Sequence, residues 1–342
     1  MPPGLKDVAA RAGVSIKTVS NVVNGYVHVA AGTRARVRAA IEELGYVPNP
    51  AARQLRVGRS GVIALAVPEL PAPYFGELAG LIVQAAGLRS WTVLIDQTDG
   101  RADRERQLVA GLRRHAIDGL IFSPLALAAE EVAGEVAGVG GPPMVLLGAR
   151  IGRGVADHVT IDDAAAGADA ARHLCELGRR RIAAIGVHDG PHVAPRRRLA
   201  GYRAALAEAG CPASPRLEAR VAGSGRADGA AAMARLIEQG DPPDAVFCFN
   251  DRLALGAIRT LLERGIDVPG EVAVIGFDDI EDGRFATPTL STIAPDTPRI
   301  AQLAVDLLAE RLGDGPAATG PPRELHVDHR LVARESTLGR AS

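Results

Sequence analysis

Cysteine is scarce in this 342-residue chain, aromatic side chains make up only 3% of it, and long uninterrupted apolar runs are missing altogether. A membrane span needs roughly 18 consecutive apolar residues, so none is expected. The three cysteines, Cys175, Cys211 and Cys248, are odd in number, far apart in sequence and outside any CxxC spacing. They read as small buried hydrophobes in a reducing compartment, not as a disulfide framework or a thiolate metal centre. The N-terminus lacks a basic segment leading into a short apolar stretch, so no export signal is expected and the cytoplasm is the expected location. Few aromatics weaken the case for a pocket that stacks a base. GxxxxGK[ST], GxSxG and HExxH are also missing, and with them the usual nucleotide, nucleophile and zinc-hydrolase readings. No enzyme activity, cofactor or metal is therefore expected. The carboxylate pairs Asp278-Asp279 and Glu281-Asp282 do not supply an acid-base site, because neighbours at a strand end point opposite ways. His326 and His329 fall three apart in one expected strand and would face opposite sides for the same reason.

What is present is core material and an uneven charge. Apolar residues make up 47% and charged residues 23%, the profile of a globular protein long enough for two or three domains. Residues 1–60 hold nine Lys and Arg against Asp7, Glu42 and Glu43, a balance of +6, which leaves −7 for the remainder given a net charge of −1. A small cationic head on an anionic body suits a polyanion partner, since each neutralised phosphate releases condensed counterions. A basic solvated face would give the same count.

The first 25 residues are legible as two short helices. Leu5, Val8, Ala9 and Ala12 recur at the helical period. Gly13 then permits a sharp turn, Val14 plugs the corner and Ser15 can cap a second helix, Ile16 to Val23. That helix buries Val19, Val22 and Val23 and shows Ile16, Lys17, Ser20 and Asn21 on its other side. Two short helices joined by a glycine-containing turn form a helix-turn-helix, whose second helix can enter a major groove. A third helix is expected from Thr33, its cap, to Leu44, stopped by Gly45. Pro48-Asn49-Pro50 then breaks the chain, and Asn49 can cap a short helix through Leu55 that is marginal on its own.

From Gly61 the pattern changes. Apolar runs at 61–68, 91–96, 117–123 and 143–148 alternate with amphipathic stretches near 75–89, 102–115 and 129–139. A second series has strands at 181–187, 218–223, 244–250 and 271–277, with helices near 163–178, 196–210, 226–239 and 251–265. Apolar strands separated by helices mean parallel sheets covered on both faces. The expected fold is therefore an all-α helix-turn-helix head plus an α/β bilobal core of two doubly wound parallel sheets. The strand at 290–293 and a helix from about 298 to 312 are expected to cross back to the first lobe, and 324–332 to close the second.

Taken together and in order, these motifs resemble the lactose-repressor (LacI-type) family of bacterial transcriptional regulators over Leu5 to about Val332. The resemblance rests on GVSIKTVSNVVNG at 13–25, Tyr46-Val47-Pro48-Asn49, Ala52-Arg53-Gln54-Leu55, Arg198-Leu199-Ala200-Gly201-Tyr202, Asn250-Asp251, Gly276-Phe277-Asp278-Asp279 and Pro288 to Ile293. It implies a helix-turn-helix domain over 1–46, a hinge helix and linker over 47–60, and an effector-binding and dimerisation domain over 61–342 with a periplasmic-binding-protein-like fold. The lobes would be about 61–160 with 291–322, and about 161–290 with 323–342. It places Ile16, Lys17 and Asn21 at base edges and Leu5, Thr18, Ser20, Asn24, His28 and Thr33 at phosphates. Ser15, Asn49 and Ala52 join the DNA-facing set, and Leu55 matches a minor-groove wedge. The family often has Arg where this chain has Asn21.

Such sheets bind ligands beyond the carboxyl ends of their strands. Tyr74, Phe75, Ser123, Arg198, Asn250 and Asp278 are the expected effector contacts, a set suited to a polyhydroxy ligand such as a sugar or sugar phosphate. His188, Asp189 and His192 could line the same cleft or be solvated loop residues. Ala149 stands where the family often has Asp, residues 222–226 contain no aromatic, and Pro295 replaces a common Gln. The expected protein is a repressor that binds a palindromic operator duplex as a homodimer, since the tail VARESTLGRAS contains no heptad zipper. A purine-responsive regulator of the same family and, further off, a solute-binding protein of a transport system are the competing expectations.

Overall fold

The helical periods of the first 46 residues become three helices: α1 (Leu5–Ala12), α2 (Ile16–Val23) and α3 (Ala31–Leu44). This is a computed structural model, and it describes residues 3–23, 26, 28–46, 59–111, 117–127, 131–132, 141–148, 154–188, 193–211, 213–313 and 316–340. Gly13 takes the left-handed conformation, φ 64°, that the turn between α1 and α2 demands, and Gly45 ends α3 the same way at φ 58°. The Ser15 hydroxyl accepts the Thr18 N–H at 3.1 Å and so caps α2. The third helix starts two residues earlier than its sequence signal, after Ala30, so Thr33 lies inside the first turn and is not the cap. Val8, Ala9, Ala12, Val19, Val22, Val37 and Ala40 form the core of the head, with Leu5, Val14 and Val23 packed at its edge. The expected hinge helix, with Asn49, Ala52 and Leu55, lies outside the described residues, as does Asn24.

Residues 1–60 and 61–342 are separate compact units. The second opens with β1 (Val62–Val67), α4 (Pro73–Gly87), β2 (Thr92–Gln97), α5 (Ala102–Gly111), β3 (Gly119–Phe122), β4 (Met144–Leu147) and β5 (Asp157–Ile161). It continues with α6 (Asp163–Glu176), β6 (Ile182–Val187), α7 (Val193–Glu208), β7 (Glu218–Arg220), α8 (Arg226–Glu238), β8 (Ala245–Cys248), α9 (Asp251–Glu263) and β9 (Ala273–Phe277). Then come β10 (Ser291–Pro295), α10 (Thr297–Leu312), β11 (Glu324–Val327) and β12 (His329–Val332), followed by a single helical turn, Glu335–Leu338. The described strands make two sheets, ordered β11-β5-β4-β3-β1-β2 and β12-β10-β9-β8-β6-β7. All neighbours run parallel except β12 against β10. The central strands are buried throughout, as sheets covered by helices on both faces require. Most of the helical stretch expected at 129–139 falls outside the described residues.

Two expectations about the lobes need correction. The strand at 291–295 does not cross to the first lobe; it pairs with β9 (Ser291 beside Ile275) and belongs to the second sheet. The crossing comes after it, through α10, which packs on α4 and on β3 to β5. The stretch 324–332 is two strands broken at Asp328: β11 adds to β5 in the first sheet and β12 turns antiparallel onto β10 in the second. His326 and His329 are thus on different strands, one beside Glu324 and the other beside Asp169. The lobes are joined by three neighbouring segments, 161–163, 295–297 and 327–329, and the Asp296 N–H donates to the Asp328 carbonyl at 3.2 Å.

Candidate functional site

Each sheet delivers its strand ends to one cleft of about 860 Å³ between the lobes, a volume suited to a small organic ligand. All six expected effector residues, Tyr74, Phe75, Ser123, Arg198, Asn250 and Asp278, line it.

Asp278 follows β9 with φ 113°, and Asp279 follows at φ 56°. Aspartate tolerates the left-handed φ of Asp279, but φ 113° at Asp278 is held only where the surroundings enforce it, and such outliers cluster at binding sites. The enforcement is visible. Asp279 is held by Arg334 at 2.6 Å and Arg284 at 3.1 Å. The Ile280 N–H donates to buried Asp251 at 2.9 Å, and the Thr292 hydroxyl donates to the other Asp251 oxygen at 2.7 Å. A Cβ at Gly276 would collide with that Asp251 carboxylate, which is why glycine stands there. Burial pushes the Asp251 carboxyl well above the usual range, and the charge of Asp278 adds to the rise. The same framework turns the Asp278 side chain into the cleft, where no hydrogen bond among the described residues reaches its carboxylate. Burial raises its pKa to about 7; the Arg198 guanidinium offsets part of the rise, Asp163 adds to it and Arg252 opposes it.

Arg198 is fixed from three sides. Its Nε donates to Asp163 at 2.8 Å, Nη1 donates to the Phe249 carbonyl, and the guanidinium lies on the Phe277 ring with Cζ 3.4 Å from the centroid. Cation–π contact of this kind contributes about 1–2 kcal/mol when water is kept out. The two helices that carry Arg198 and Asp163 can approach this closely because Gly201 and Gly167 have no side chain. A Cβ on Gly201 would strike the Ala164 carbonyl, and one on Gly167 the Arg198 carbonyl. Asp163, the first residue of α6, was not singled out by the sequence reading, although it begins a helix right after a strand.

Tyr74 and Phe75 open α4 and meet edge to face, with centroids 5.2 Å apart. Burial, with Asp278 adding to it, pushes the Tyr74 hydroxyl far above its ordinary range, so it stays a neutral donor. Ser123 directly follows β3, and the loop it opens is anchored by buried Glu105, whose carboxylate accepts the N–H groups of Leu125, Ala126 and Leu127. Asn250 has a structural duty as well as a place in the cleft: its Oδ1 caps α9 by accepting the Leu253 N–H at 2.7 Å, and Nδ2 donates to the Ser224 carbonyl at 3.2 Å. His188, Pro295, Ala222, Gly223 and Ser224 also line the cleft, while Ala149, Asp189 and His192 lie outside the described residues. Sequence reasoning missed one further pair. Arg252, in the first turn of α9, donates to Glu69, in the loop after β1, at 2.7 Å, so an ion pair spans the two lobes at the cleft.

In the head, Ile16 is 44% exposed and Lys17 is exposed beside it, while Ser20, Asn21 and Thr33 are half-buried. Ser15 and Thr18 are tied hydroxyl to hydroxyl at 2.9 Å, at the start of α2. Leu5 packs against the core, so what it can offer a phosphate is its first-turn backbone N–H. His28 is exposed and stands edge-on to Tyr26, centroids 5.4 Å apart. Tyr26, 53% exposed, is an amphipathic side chain that sequence reasoning passed over.

A helix-turn-helix unit followed by a bilobal α/β body whose interlobe cleft is lined by apolar faces and a few convergent polar groups defines a class, the ligand-responsive DNA-binding regulators. Residues 4–49 match the family described as bacterial regulatory proteins, lacI family, and residues 171–337 match a periplasmic binding protein-like domain. The HTH-type transcriptional regulator DegA of Bacillus subtilis (strain 168) is 35% identical over 86% of this chain and 87% of its own. The HTH-type transcriptional repressor PurR of Proteus mirabilis (strain HI4320) is 33% identical over 97% and 96%. Among solved structures, the lac repressor dimer bound to operator and the anti-inducer ONPF superposes with a TM-score of 0.83 at 29% identity, covering 99% of this chain and 100% of that one. The transcriptional regulator CelR in complex with cellobiose gives 0.73 at 32% identity, covering 98% and 99%. The chain belongs to the lacI family of bacterial regulatory proteins: it is a transcriptional regulator with a helix-turn-helix DNA-binding head and an effector-binding domain of the periplasmic-binding-protein type.

Proposed function

We propose that this regulator is a cytoplasmic repressor that grips a palindromic operator as a homodimer and is controlled by a sugar or sugar phosphate in the interlobe cleft. The observation that carries the effector assignment is Asp278: an acceptor held in a strained backbone, aimed into the cleft and left without a protein donor among the described residues. Arg198 and the Asn250 amide lie around the same space, and vicinal hydroxyls can satisfy such a carboxylate and such donors together. Phe75 and Tyr74 would cover an apolar sugar face. In the head, Ile16, Lys17 and Asn21 would meet base edges, and Leu5, Ser15, Thr18, Ser20, Asn24, His28 and Thr33 phosphates, with Asn49, Ala52 and Leu55 following in the minor groove. Pairing of two chains is supported by the edge strand β2, whose Leu94 and Ile95 are exposed at 52% and 42%. A bare apolar edge of that kind is ordinarily covered.

A purine effector is the second reading, and one observation favours it. The chain is poor in aromatics, yet Tyr74, Phe75, Phe249 and Phe277 gather at the cleft. Arg198 already covers Phe277, which leaves fewer faces for a base. The test is a selection of duplexes bound by the full-length protein at moderate salt, followed by titration of the complex with sugars, sugar phosphates and nucleobases. A sugar or its phosphate should change duplex affinity at least tenfold, corresponding to about 1.4 kcal/mol of coupling. A response to nucleobases alone transfers the assignment to the second reading, and no preference for any duplex over random sequence overturns both.

A further inference from the structure

Cys175 and Cys211 are 36 positions apart in sequence and meet in the fold, Sγ to Sγ at 3.6 Å. Cys175 is the penultimate residue of α6, and Cys211 follows α7 directly after the left-handed Gly210, φ 64°. Their contact is therefore set by two helix ends. The surroundings of the two sulfurs differ. Arg180 Nη1 donates to Cys211 Sγ at 3.4 Å and to the Ala209 carbonyl at 3.3 Å, so a cation stands at one sulfur. Arg180 is itself exposed, and its backbone N–H donates to Asp244 at 2.7 Å. Cys175 has Cys211 as its sulfur neighbour, and burial, with that contact, pushes its thiol up to about 11. Both cysteines lie at the edge of the core, 9% and 5% exposed, whereas Cys248 is fully buried in the centre of the second sheet.

We infer that Cys175 and Cys211 form a reversible redox modification site, oxidised by a small hydroperoxide to an intramolecular disulfide within the second lobe. The Cys211 thiolate, its charge met by Arg180, attacks one peroxide oxygen; the O–O bond breaks, hydroxide leaves, and a sulfenic acid forms. Cys175 gives up its proton and attacks that sulfur, the S–S bond forms, and the hydroxyl leaves as water. Two thiols and one hydrogen peroxide thus become one disulfide and two waters. The sulfurs must close from 3.6 Å to roughly 2.05 Å, which a change of side-chain torsion at helix ends can supply. The consequence reaches the cleft. The disulfide would staple the far ends of α6 and α7, the two helices whose near ends hold Asp163 and Arg198 together. Twelve residues of α-helix separate Asp163 from Cys175, about 18 Å along its axis.

The test uses the reduced full-length protein treated with hydrogen peroxide, then denatured, labelled with a maleimide and digested without reductant. A peptide linking Cys175 to Cys211 is expected within single chains, with Cys248 labelled, the unfolding midpoint raised, and all three thiols recovered after dithiothreitol. Cys211→Ser should give no cross-link, and Arg180→Ala should reach the same product roughly tenfold more slowly. Because the first arm uses the natural chain, a variant that folds poorly does not decide the result. Full labelling of both thiols after peroxide, sulfinic acid without a cross-link, or a cross-link between chains would each overturn the proposal.

Discussion

The two walls of the cleft are built differently. The first lobe contributes the faces of Tyr74, Phe75, Leu125 and Leu147, the hydroxyls of Tyr74, Ser123 and Thr160, and the polar ends of Glu69, Gln97 and Asp99. The second contributes Asp278, Arg198, Asn250 and Arg252, a surface of fixed charge and amide. The second lobe therefore holds the unpartnered carboxylate and the fixed guanidinium, with Phe277 already covered by Arg198, while the uncovered aromatic pair of Tyr74 and Phe75 sits on the first. A ligand shifts a two-state equilibrium only by its difference in affinity for the two states. On the proposed reading, a ligand docked on the second lobe would gain its first-lobe contacts as the lobes close, and those contacts would supply the difference.

The largest effect expected from this contrast is at Asp278. Asp278→Ala removes a charged acceptor, worth about 1.5–3 kcal/mol per hydrogen bond, so effector affinity should fall about a hundredfold while operator binding without effector is unchanged. Phe75→Ala, on the other wall, removes cover alone and should cost about tenfold, near 1.4 kcal/mol. Isothermal titration of both variants checks the pair. The reverse ranking would place recognition on the first lobe and break the contrast.

A smaller effect sharpens it. Burial raises Asp278 to about 7, and the ionised carboxylate is a stronger acceptor for a ligand hydroxyl than the protonated acid, which must also place its own O–H. Effector affinity should therefore climb about tenfold between pH 6 and pH 8, the range over which such a group ionises. The stability of the effector-free domain should move the other way. A carboxyl whose folded value is raised stabilises most below its unfolded value of about 4, and this contribution is lost as pH rises through about 7. Asp278→Asn should flatten both profiles, measured by titration calorimetry and by chemical denaturation; a wild-type binding profile without a rise would remove the ionised carboxylate from the contact.

Much of this was legible because local chemistry and fold agreed. The head's helices follow from Val and Ala at helical spacing and from glycines at two left-handed turns, and the central strands from unbroken apolar runs. The strand β5 was not legible. Its sequence Asp-His-Val-Thr-Ile begins with polar residues that are nevertheless buried. Asp157 is paired there with Arg311 at 2.8 Å and the Arg323 N–H at 2.8 Å, and His158 with the Gly148 carbonyl at 2.9 Å. Partners more than 150 residues away carry no local signal. A related reason hid Asp163 and Glu69 from the site, since their partners Arg198 and Arg252 stand 35 and 183 residues away on other elements. Their roles exist only once α7 and α9 are laid against them, whereas Asp278 and Asn250 announce themselves at the ends of apolar strands. The scarcity of aromatics misled differently, since an average over the chain says nothing of four of them converging on one cleft.

The smallest effect expected concerns the Glu69–Arg252 ion pair, which joins the walls directly. Glu69 and Arg252 pair at 2.7 Å, with side chains 42% and 19% exposed, so water screens the pair and its worth is about 0–1 kcal/mol. That is enough to bias lobe closure without fixing it. Glu69→Gln should leave the strong contacts of the second lobe intact, yet favour the open arrangement and weaken effector binding by about threefold, within the range of such a pair. Arg252→Ala also withdraws a cation from Asp278, whose ionisation Arg252 favours, so its effect should exceed that of Glu69→Gln. A double-mutant cycle on effector affinity separates the two contributions. If the cycle returns no coupling, the pair is ornamental to closure and the lobes communicate through the ligand alone. If the coupling exceeds that of Asp278 with the ligand, the charged wall is not the principal reader, and the division between the lobes has to be redrawn with the ion pair at its centre.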